Sequence, residues 1–207
     1  MQQQIEKIKV NKKIIKIKKD KDVYSPAEDT FLLLRNLKKL QGDILEIGTG
    51  SGIVSIYLAK ENKKKKIYAS DISKKAIENA KINAQLNLVK IKFILSDLFK
   101  KIPKKKFDFI IFNPPYLPTE KNEKINGPIN YAFDGGKKGD RVIKIFLKKA
   151  KDFLKDEGAI FLVVSSLIDL NKLEYFIKKL GYTYKKIDQE DFFFEHIFLY
   201  KIMKNKK

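Results

Sequence analysis

The chain has 207 residues, of which 43% are hydrophobic, and a formal net charge of +20 at pH 7. This length suits one domain with a three-layer core. The absence of cysteine excludes disulfides, thiolate catalysis and cysteine-ligated metal, and a single histidine, His196, excludes a histidine-built metal site. No long apolar segment or signal peptide is visible, so we expect a cytoplasmic protein.

The positive charge comes almost entirely from lysine, because Arg35 and Arg141 are the two arginines. Such a charge would attract RNA, ribosomes or any acidic surface by long-range steering. The lysines are spread over the whole chain, however, and a lysine-rich composition without cysteine is typical of hyperthermophiles. We therefore favour background composition over a dedicated nucleic-acid surface.

The first twenty residues are predicted to form an amphipathic extension. Residues 5 to 18 alternate apolar residues with lysine around Asn11-Lys12, a pattern typical of a β-hairpin that lies on the protein body. We assign residues 1–22 to this extension and residues 23–207 to the main domain.

A helix is predicted directly after the extension. The segment Ser25-Pro26-Ala27-Glu28 combines an N-cap serine, a proline at the first helical position and a glutamate at N3. This capping box predicts a helix that runs to about Leu40. Phe31, Leu34 and Leu37 recur at helical spacing, so we expect them in the core.

From Gly42 onward, the hydrophobic pattern alternates between strands and helices. Strands are predicted at residues 43–47, 66–69, 91–95, 107–112 and 159–164, and helices at residues 53–60, 73–86, 140–154 and 169–180. Two last strands, residues 182–187 and 193–202, have no helix between them and are expected to form an antiparallel hairpin. The prediction is an α/β fold with a mostly parallel seven-stranded sheet and helices on both faces.

The connection at residues 117–139 holds four glycines and is too long for a plain link between a strand and a helix. We predict that it is a substrate loop.

The polar tetrapeptide Asn113-Pro114-Pro115-Tyr116 follows a predicted buried strand, and ligands of open α/β sheets bind at such strand ends. The Asn113 carboxamide oxygen and the Pro114 carbonyl could accept the two hydrogens of a planar NH2 group. Prolines restrict φ and hold that carbonyl in place, while Tyr116 could lie flat on the planar group. The alternative interpretation is a turn that only ends the strand.

A second candidate site begins with Glu46 and the glycine turn at residues 48–52, which leads from a central strand into a helix. Gly48 and Gly50 let a ligand approach the backbone. A nicotinamide-dinucleotide fold has a similar turn, but here the third glycine comes one residue early and Glu46 would lie beside a pyrophosphate. A cationic ligand without a phosphate group suits a binding site that contains this carboxylate better.

Two more acids follow the next two strands. Asp71 could accept two ribose hydroxyls, and Asp97 could accept an adenine amino hydrogen while the Leu98 N–H meets a ring nitrogen. Three acids at the ends of successive strands, beside a glycine turn, indicate one binding site.

These segments resemble a known family of enzymes. EIGTGSG, SDIS, SDL and FNPPY are similar to the motifs of Rossmann-like S-adenosylmethionine-dependent methyltransferases, and the Asn-Pro-Pro-Tyr variant is similar to that of methylases of adenine N6, guanine N2 and glutamine. VYSPAEDTFLLL and AFDGGKKGDRVI resemble the short archaeal and eukaryotic branch of the HemK (PrmC-like) family. Those enzymes methylate the glutamine of the Gly-Gly-Gln loop in class 1 release factors. The resemblance covers nearly all of the chain from Val23, and we expect no counterpart of the helical N-terminal domain of bacterial members.

The resemblance implies roles for residues at the matching motif positions. The implied S-adenosylmethionine contacts are Thr30, Glu46, Gly48, Gly50, Asp71, Asp97, Leu98 and Asn113, and the implied catalytic and substrate-binding residues are Asn113, Pro114, Pro115 and Tyr116. In that mechanism, the glutamine amide nitrogen attacks the sulfonium methyl without prior deprotonation, so positioning should supply most of the rate.

The resemblance also implies partners. The class 1 release factor is the substrate, and a small zinc-binding activator protein adds to the exposed sheet edge in these short members. Residues 90–95 alternate as KIKFIL, which is compatible with a pairing edge strand. A half-buried strand without a partner is the alternative.

Two other functions compete with glutamine methylation. The same motif and the +20 charge suit methylation of an adenine or guanine amino group in RNA or DNA. Against that alternative, the sequence has no separate target-recognition domain and no interleaving of aromatic and basic residues. A basic RNA-binding module without activity is the third hypothesis, but none of the motifs is visibly broken.

Overall fold

The structure is a computed structural model that describes residues 5–38, 40–61, 66–120 and 127–205. Its strands are β1 (Ile5–Val10), β2 (Lys13–Lys18), β3 (Ile44–Ile47), β4 (Ile67–Asp71), β5 (Lys92–Leu95), β6 (Phe107–Phe112), β7 (Leu154–Ser165), β8 (Tyr182–Asp191) and β9 (His196–Lys204). Its helices are α1 (Glu28–Asn36), α2 (Ile53–Glu61), α3 (Lys74–Leu86), α4 (Arg141–Phe153) and α5 (Leu170–Lys179), with a 3-10 turn at Pro128–Ala132. None of the helices in these ranges is long and apolar enough to cross a membrane.

The large sheet has seven strands in the order β5-β4-β3-β6-β7-β9-β8. All neighbouring pairs are parallel except those of β9, which is antiparallel to both β7 and β8. The predicted fold class and the C-terminal hairpin are thus confirmed. Since the chain order reverses between β3 and β6, the crevice at the carboxyl ends of these strands is the expected ligand site.

Both faces of the sheet are buried, which explains why its central strands are apolar at nearly every position. Successive residues of β6 point to opposite faces: Ile111 packs with α1 and α2, whereas Ile110 and Phe112 pack with α4 and α5. Burial on two sides fixes β3 and β6 as the rigid frame of the site.

The predicted N-terminal hairpin is confirmed as the antiparallel pair β1–β2. Its apolar side buries Ile15 and Ile17, and its outer edge is bonded to α3. Three asparagines at intervals of four residues do this: Asn79 donates to Lys18 O at 3.0 Å, Asn83 accepts the Lys18 N–H at 2.8 Å, and Asn87 bonds both backbone groups of Lys16. One helical face thus satisfies a strand edge.

Helix α1 corrects the prediction for residues 25–40. It begins at Glu28 with Ala27 as N-cap, so Ser25 is not the cap, and it ends at Asn36 instead of continuing to Leu40. The late start has a local cause, because the side chains of Asp29 and Thr30 accept the Thr30 and Ala27 N–H groups.

The prediction for the core face of α1 was partly wrong. Leu34 and Leu37 are buried as expected, but 40% of Phe31 is exposed. Three consecutive leucines, residues 32–34, form the buried face of the helix. Phe31 lies on the side that faces solvent.

Three strand boundaries also differ from prediction. β8 runs to Asp191, four residues beyond the predicted end, because its pairing with β9 continues to His196. β7 begins at Leu154, five residues before the predicted start. Leu154 pairs with Phe107 of β6, and this pairing brings the exposed residues 155–157 into the strand. The predicted final strand starts at Phe193, whereas β9 starts at His196 and Phe193 lies in the preceding turn. Of the predicted substrate loop, residues 121–126 lie outside the described residues.

Candidate active site

A cavity of about 1660 Å³ opens where β3, β4, β5 and β6 end. It exceeds the volume of a typical single-ligand pocket, so it has room for two ligands. Each residue predicted for the site lines it: Thr30, Glu46, Gly48, Gly50, Asp71, Asp97, Leu98, Asn113, Pro114, Pro115 and Tyr116. The tertiary structure thus brings the two candidate sites of the sequence into one cavity.

The glycine turn after β3 forms the floor of one end of the cavity. Gly48 has φ +67° and Gly52 has φ +83°, values that favour glycine. A Cβ atom at Gly52 would lie 3.0 Å from the Ala80 Cβ, so this glycine also permits the close approach of α3. The turn thereby leaves backbone open to a ligand.

Glu46 is a fully buried acid beside this turn. Its Oε2 accepts hydrogen bonds from the Thr49 hydroxyl at 2.8 Å, from the Ser55 N–H at 3.1 Å and from the Ser55 hydroxyl. Burial raises the pKa of Glu46 to about 7, although these hydrogen bonds act in the opposite direction. A cation nearby would therefore stabilise the ionised form of Glu46.

Asp71 ends β4 on the other side of the glycine turn. Its two carboxylate oxygens accept the Gly50 N–H and the Ser73 N–H, each at 2.9 Å. Burial raises the pKa of Asp71, and these backbone bonds lower it. The Ile72 N–H also bonds this carboxylate, which keeps a lone pair for a ligand hydroxyl.

Asp97 and Leu98 follow β5 at the far end of the cavity. Leu98 has φ +45°, and the Ser96 hydroxyl donates to its carbonyl at 2.9 Å. The Asp97 side chain is half-exposed and pairs with Lys100 at 2.7 Å. The turn is therefore fixed by Ser96, while the Asp97 carboxylate remains accessible.

Asp29 is the centre of the polar network at the opposite end. It is 3% exposed, and its Oδ2 accepts bonds from Asn113 Nδ2 at 2.9 Å and from the hydroxyls of Tyr24 at 3.0 Å and Tyr116 at 3.4 Å. The Thr30 hydroxyl donates to Oδ1 at 3.1 Å. One buried carboxylate thus joins α1 to the segment after β6.

The Asn113 side chain is oriented by this carboxylate. Since Asp29 can only accept, the amino group of Asn113 must face it, and the carboxamide oxygen must point the other way. That oxygen is buried and has no hydrogen-bond partner within the described part of the chain. A buried acceptor without a donor is rare and costly, so it indicates a ligand N–H.

The two tyrosines of the network stay protonated. Burial, followed by the charge of Asp29, raises the pKa of both Tyr24 and Tyr116 well above the usual range. Their hydroxyls are therefore permanent donors to Asp29.

The sequence patterns gave no role to Tyr24, Asp29 and Glu195, which also line this cavity. Asp29 precedes Thr30 within the PAEDT segment, so the motif itself marked it. Glu195 lies in the turn between β8 and β9 and accepts the Ser165 hydroxyl at 2.6 Å. No local pattern pointed to its approach to the site.

Residues 15–193 match the family model of the methyltransferase small domain. The chain belongs to this family. It is 46% identical over 169 residues to a putative protein N5-glutamine methyltransferase of Methanocaldococcus jannaschii, which covers 81% of this chain and 85% of the relative. It is 37% identical to human Methyltransferase HEMK2, over 69% of this chain and 71% of the relative. The resemblance to HemK-like enzymes is thereby confirmed.

Solved structures show the same fold. The Mtq2-Trm112 complex of E. cuniculi, described as responsible for methylation of the eRF1 termination factor, aligns with a TM-score of 0.68 at 23% identity, over 89% of this chain and 99% of that chain. A methyltransferase from Pyrococcus furiosus aligns with a TM-score of 0.70 at 22% identity, over 91% and 88%. The chain is an N-methyltransferase of the Rossmann-like class, and its cofactor is S-adenosylmethionine.

The residues of this methyltransferase fit that cofactor. Glu46 and Asp71 are buried carboxylates on either side of an open glycine turn, which suits a ligand with cationic groups and hydroxyls. The unpartnered oxygen of Asn113 lines the same cavity, and the Asn113 carbonyl would lie 3.7 Å from a Cβ atom at Gly48, so a substrate bound there would lie next to the glycine turn.

Proposed function

We propose that this methyltransferase modifies the glutamine of the Gly-Gly-Gln loop in a class 1 translation release factor, at the amide nitrogen. The observation that carries the proposal is the buried, unpartnered Asn113 oxygen, which suits a primary amide. Relatives in M. jannaschii and Lactococcus lactis, named protein N5-glutamine and release factor glutamine methyltransferases, support the substrate class.

The substrate amide would be held by the segment after β6. Asn113 Oδ1 would accept one amide hydrogen and the Pro114 carbonyl the other, which fixes the plane of the NH2 group. Tyr116 would pack on the face of that plane, and its hydroxyl is already bonded to Asp29. Because Asp29 holds both side chains, the substrate finds them oriented before it binds.

The residues of the chain would act mainly by orientation and charge placement. The bound cofactor supplies an electrophilic methyl group on a sulfonium. As the amide nitrogen gives up its lone pair, its hydrogens become more acidic, so the bond to Asn113 Oδ1 strengthens towards the transition state. The N–CH3 bond would form as the S–CH3 bond breaks, and the nitrogen would lose its extra proton to water afterwards, so no base is needed to remove a proton first.

We assign the cofactor end of the cavity by the same reasoning. Glu46 and Asp71 would face the amino and ribose groups, with Gly48 and Gly50 allowing close approach. Asp97 and the Leu98 N–H would bind the adenine, and Thr30 and Asn113 would lie where cofactor and substrate meet.

Nucleic acid is the second candidate substrate. Five lysines and an arginine line the same cavity, and positive side chains attract phosphate. They are Lys100, Lys104, Lys105, Lys106, Lys149 and Arg141. Lys100 and Lys105 are already paired with Asp97 and Asp43, however, which lowers their value for a phosphate.

We also infer that a small zinc-binding activator protein adds to β5. This strand lies at the edge of the seven-stranded sheet and pairs only with β4 among the described strands. Leu95 is 41% exposed there, and Leu88, just before the strand, is 94% exposed. An open edge with apolar side chains suits pairing with another chain.

Labelled S-adenosylmethionine tests both substrate and partner. The enzyme, alone and with any small protein that co-purifies with it from source cells, is incubated with release factor or with RNA and DNA. We expect label in the release factor and none after its Gly-Gly-Gln glutamine is replaced by alanine. Label in nucleic acid but not in protein would contradict the proposal.

A further inference from the structure

The turn between β8 and β9 presents two phenylalanines to solvent. The Phe192 N–H donates to the Glu195 carbonyl at 2.8 Å, which closes a tight turn with Phe193 and Phe194 at its centre. Their side chains are 92% and 86% exposed, and their rings contact each other edge to face at 4.5 Å. The pair is therefore displayed on a closed turn.

Folding gives no reason for phenylalanine at these positions. The centre of a tight turn favours Gly, Asn, Asp or Ser, which satisfy the local geometry and face water at no cost. Neither ring packs against the two core clusters. A contiguous exposed apolar pair of this kind indicates a contact with another molecule.

The turn stands at the rim of the active-site cavity. Glu195 belongs both to the turn and to the cavity wall, and its carboxylate accepts the Ser165 hydroxyl at the end of β7. The Ser166 N–H donates to the His196 carbonyl at 2.8 Å, which ties the base of the turn to the same strand end. The charge of Glu195 also contributes, after burial and Asp29, to the raised pKa of Tyr116. The pair thus lies next to the substrate end.

The turn is acidic on a strongly basic protein. Residues 188–195, DQEDFFFE, contain four carboxylates and neither lysine nor arginine, whereas the whole chain has a net charge of +20. Arg35 binds Asp188 and Glu190, both at 2.6 Å, and the His196 ring lies 2.7 Å from Asp191, so the acids closest to the phenylalanines are Asp191 and Glu195. Such a surface repels phosphates and attracts a basic protein.

We propose that Phe193 and Phe194 form a docking point for the protein substrate, which they engage through an apolar patch bordered by basic residues next to its glutamine loop. This inference rests on the proposed function. A protein that inserts its glutamine into the cavity must also cover the rim, and exposed aromatic rings beside carboxylates are typical anchors of such contacts.

The test compares two substrates that carry the same reactive glutamine but differ in size. The doubly substituted enzyme, Phe193→Ser with Phe194→Ser, is assayed with the release factor and with a short peptide that contains Gly-Gly-Gln. We expect KM for the release factor to rise about 10-fold or more, the effect of losing an aromatic anchor. KM for the peptide and the affinity for S-adenosylmethionine should stay unchanged.

Three controls accompany the test. Phe193→Leu with Phe194→Leu keeps an apolar surface and should retain most of the affinity for the release factor. Tyr175→Ser removes another exposed aromatic ring, 69% exposed on α5 away from the cavity, and should have no effect. Equal melting temperatures of the variants and the wild-type enzyme show that the turn still folds.

Other results overturn the inference. An unchanged KM for the release factor in the doubly substituted enzyme removes the docking role and leaves the proposed function intact. An equal loss with release factor and peptide means that the turn shapes the cavity instead. Dimers of the wild-type enzyme that dissociate in the Ser variant assign the pair to self-association. A wild-type enzyme that methylates the peptide but not the release factor refutes the proposed substrate, and the docking inference falls with it.

Discussion

At the scale of single residues, Asp29 and Asn113 decide what the cavity can do. Asp29 is 3% exposed and receives the Asn113 amino group at 2.9 Å, so it determines which end of the carboxamide is offered to a ligand. The oxygen that results is buried and unpartnered. Two residues 84 positions apart in sequence thus act as one acceptor.

Replacing Asn113 by alanine tests the acceptor itself. We expect methyl transfer to fall by about 100-fold or more, as when a preorganised partner of a transition state is removed. Cofactor affinity should change little, because Glu46 and Asp71 are untouched. Turnover at saturating cofactor and calorimetry with S-adenosylmethionine measure the two effects. Wild-type turnover in a folded variant would show that the segment after β6 is only a turn that ends the strand.

Replacing Asp29 by asparagine tests the orientation. The neutral side chain can donate as well as accept, so it no longer forces the Asn113 oxygen towards the cavity. We expect kcat to fall by about 10-fold or more, with little change in the KM for cofactor. Glu28→Gln is the matched control, since it makes the same change of charge at an exposed neighbouring position. Equal kcat values in the two variants would show that Asp29 does not orient Asn113.

At the scale of elements, the N-terminal hairpin is joined to the cofactor turn through α3. Asn83 is fully buried and accepts the Lys18 N–H of β2, while its amino group donates to the Ser51 carbonyl at 2.9 Å. Ser51 belongs to the glycine turn after β3. A single side chain therefore connects the extension, a helix and the binding loop.

Removal of that connection should weaken both stability and binding. In Asn83→Ala, the Lys18 N–H and the Ser51 carbonyl lose partners, so we expect a loss of about 2 to 3 kcal/mol in the free energy of unfolding. The affinity for S-adenosylmethionine should fall as well, because the glycine turn loosens. Urea denaturation and calorimetry measure these quantities, with Gln85→Ala on the exposed face of α3 as control. Lower stability with unaltered affinity for S-adenosylmethionine would show that the hairpin does not influence the cofactor turn.

At the scale of the whole molecule, the buried acids make folding and binding depend on pH. Burial raises the pKa of Glu46 to about 7, above the usual value of about 4.5 for an exposed glutamate. Between these values the folded chain holds a proton that the unfolded chain has released, so the contribution of Glu46 to stability falls as pH rises from about 4.5 to 7. A bound cationic ligand favours the ionised carboxylate, so it favours release of this proton from Glu46 in the folded chain.

Cofactor affinity should therefore increase with pH. We expect S-adenosylmethionine to bind more tightly at pH 8 than at pH 6, with protons released on binding at the lower pH. Calorimetry in buffers of different ionisation enthalpy measures the release. Glu46→Gln should abolish the dependence on pH, while Glu78→Gln, exposed on α3, should preserve it. A release that persists in Glu46→Gln would move the titrating group to Asp71, whose pKa burial also raises.

Local patterns in the sequence predict the order of strands and helices, the parallel sheet and the members of both motifs. This was possible because apolar periodicity and strand-end residues are local signals, which residues within a few positions of one another carry. Glu46, Asp71, Asp97 and Asn113 were placed at strand ends by this logic, and all four line one cavity. Phe31 and Ser25 show the limit of local patterns, since each fitted a helical rule that the packing of α1 did not follow.

How these segments act on one another depends on contacts that form only in the folded chain. The bond between Asp29 and Asn113, the early start of β7 and the approach of Glu195 to the cavity all join residues far apart in the chain. Each depends on burial and pairing that exist only once the sheet has assembled, because a carboxylate in an unfolded chain is solvated by water. The orientation of the Asn113 oxygen is a property of the fold, for its partner lies on α1, ahead of the first strand of the large sheet.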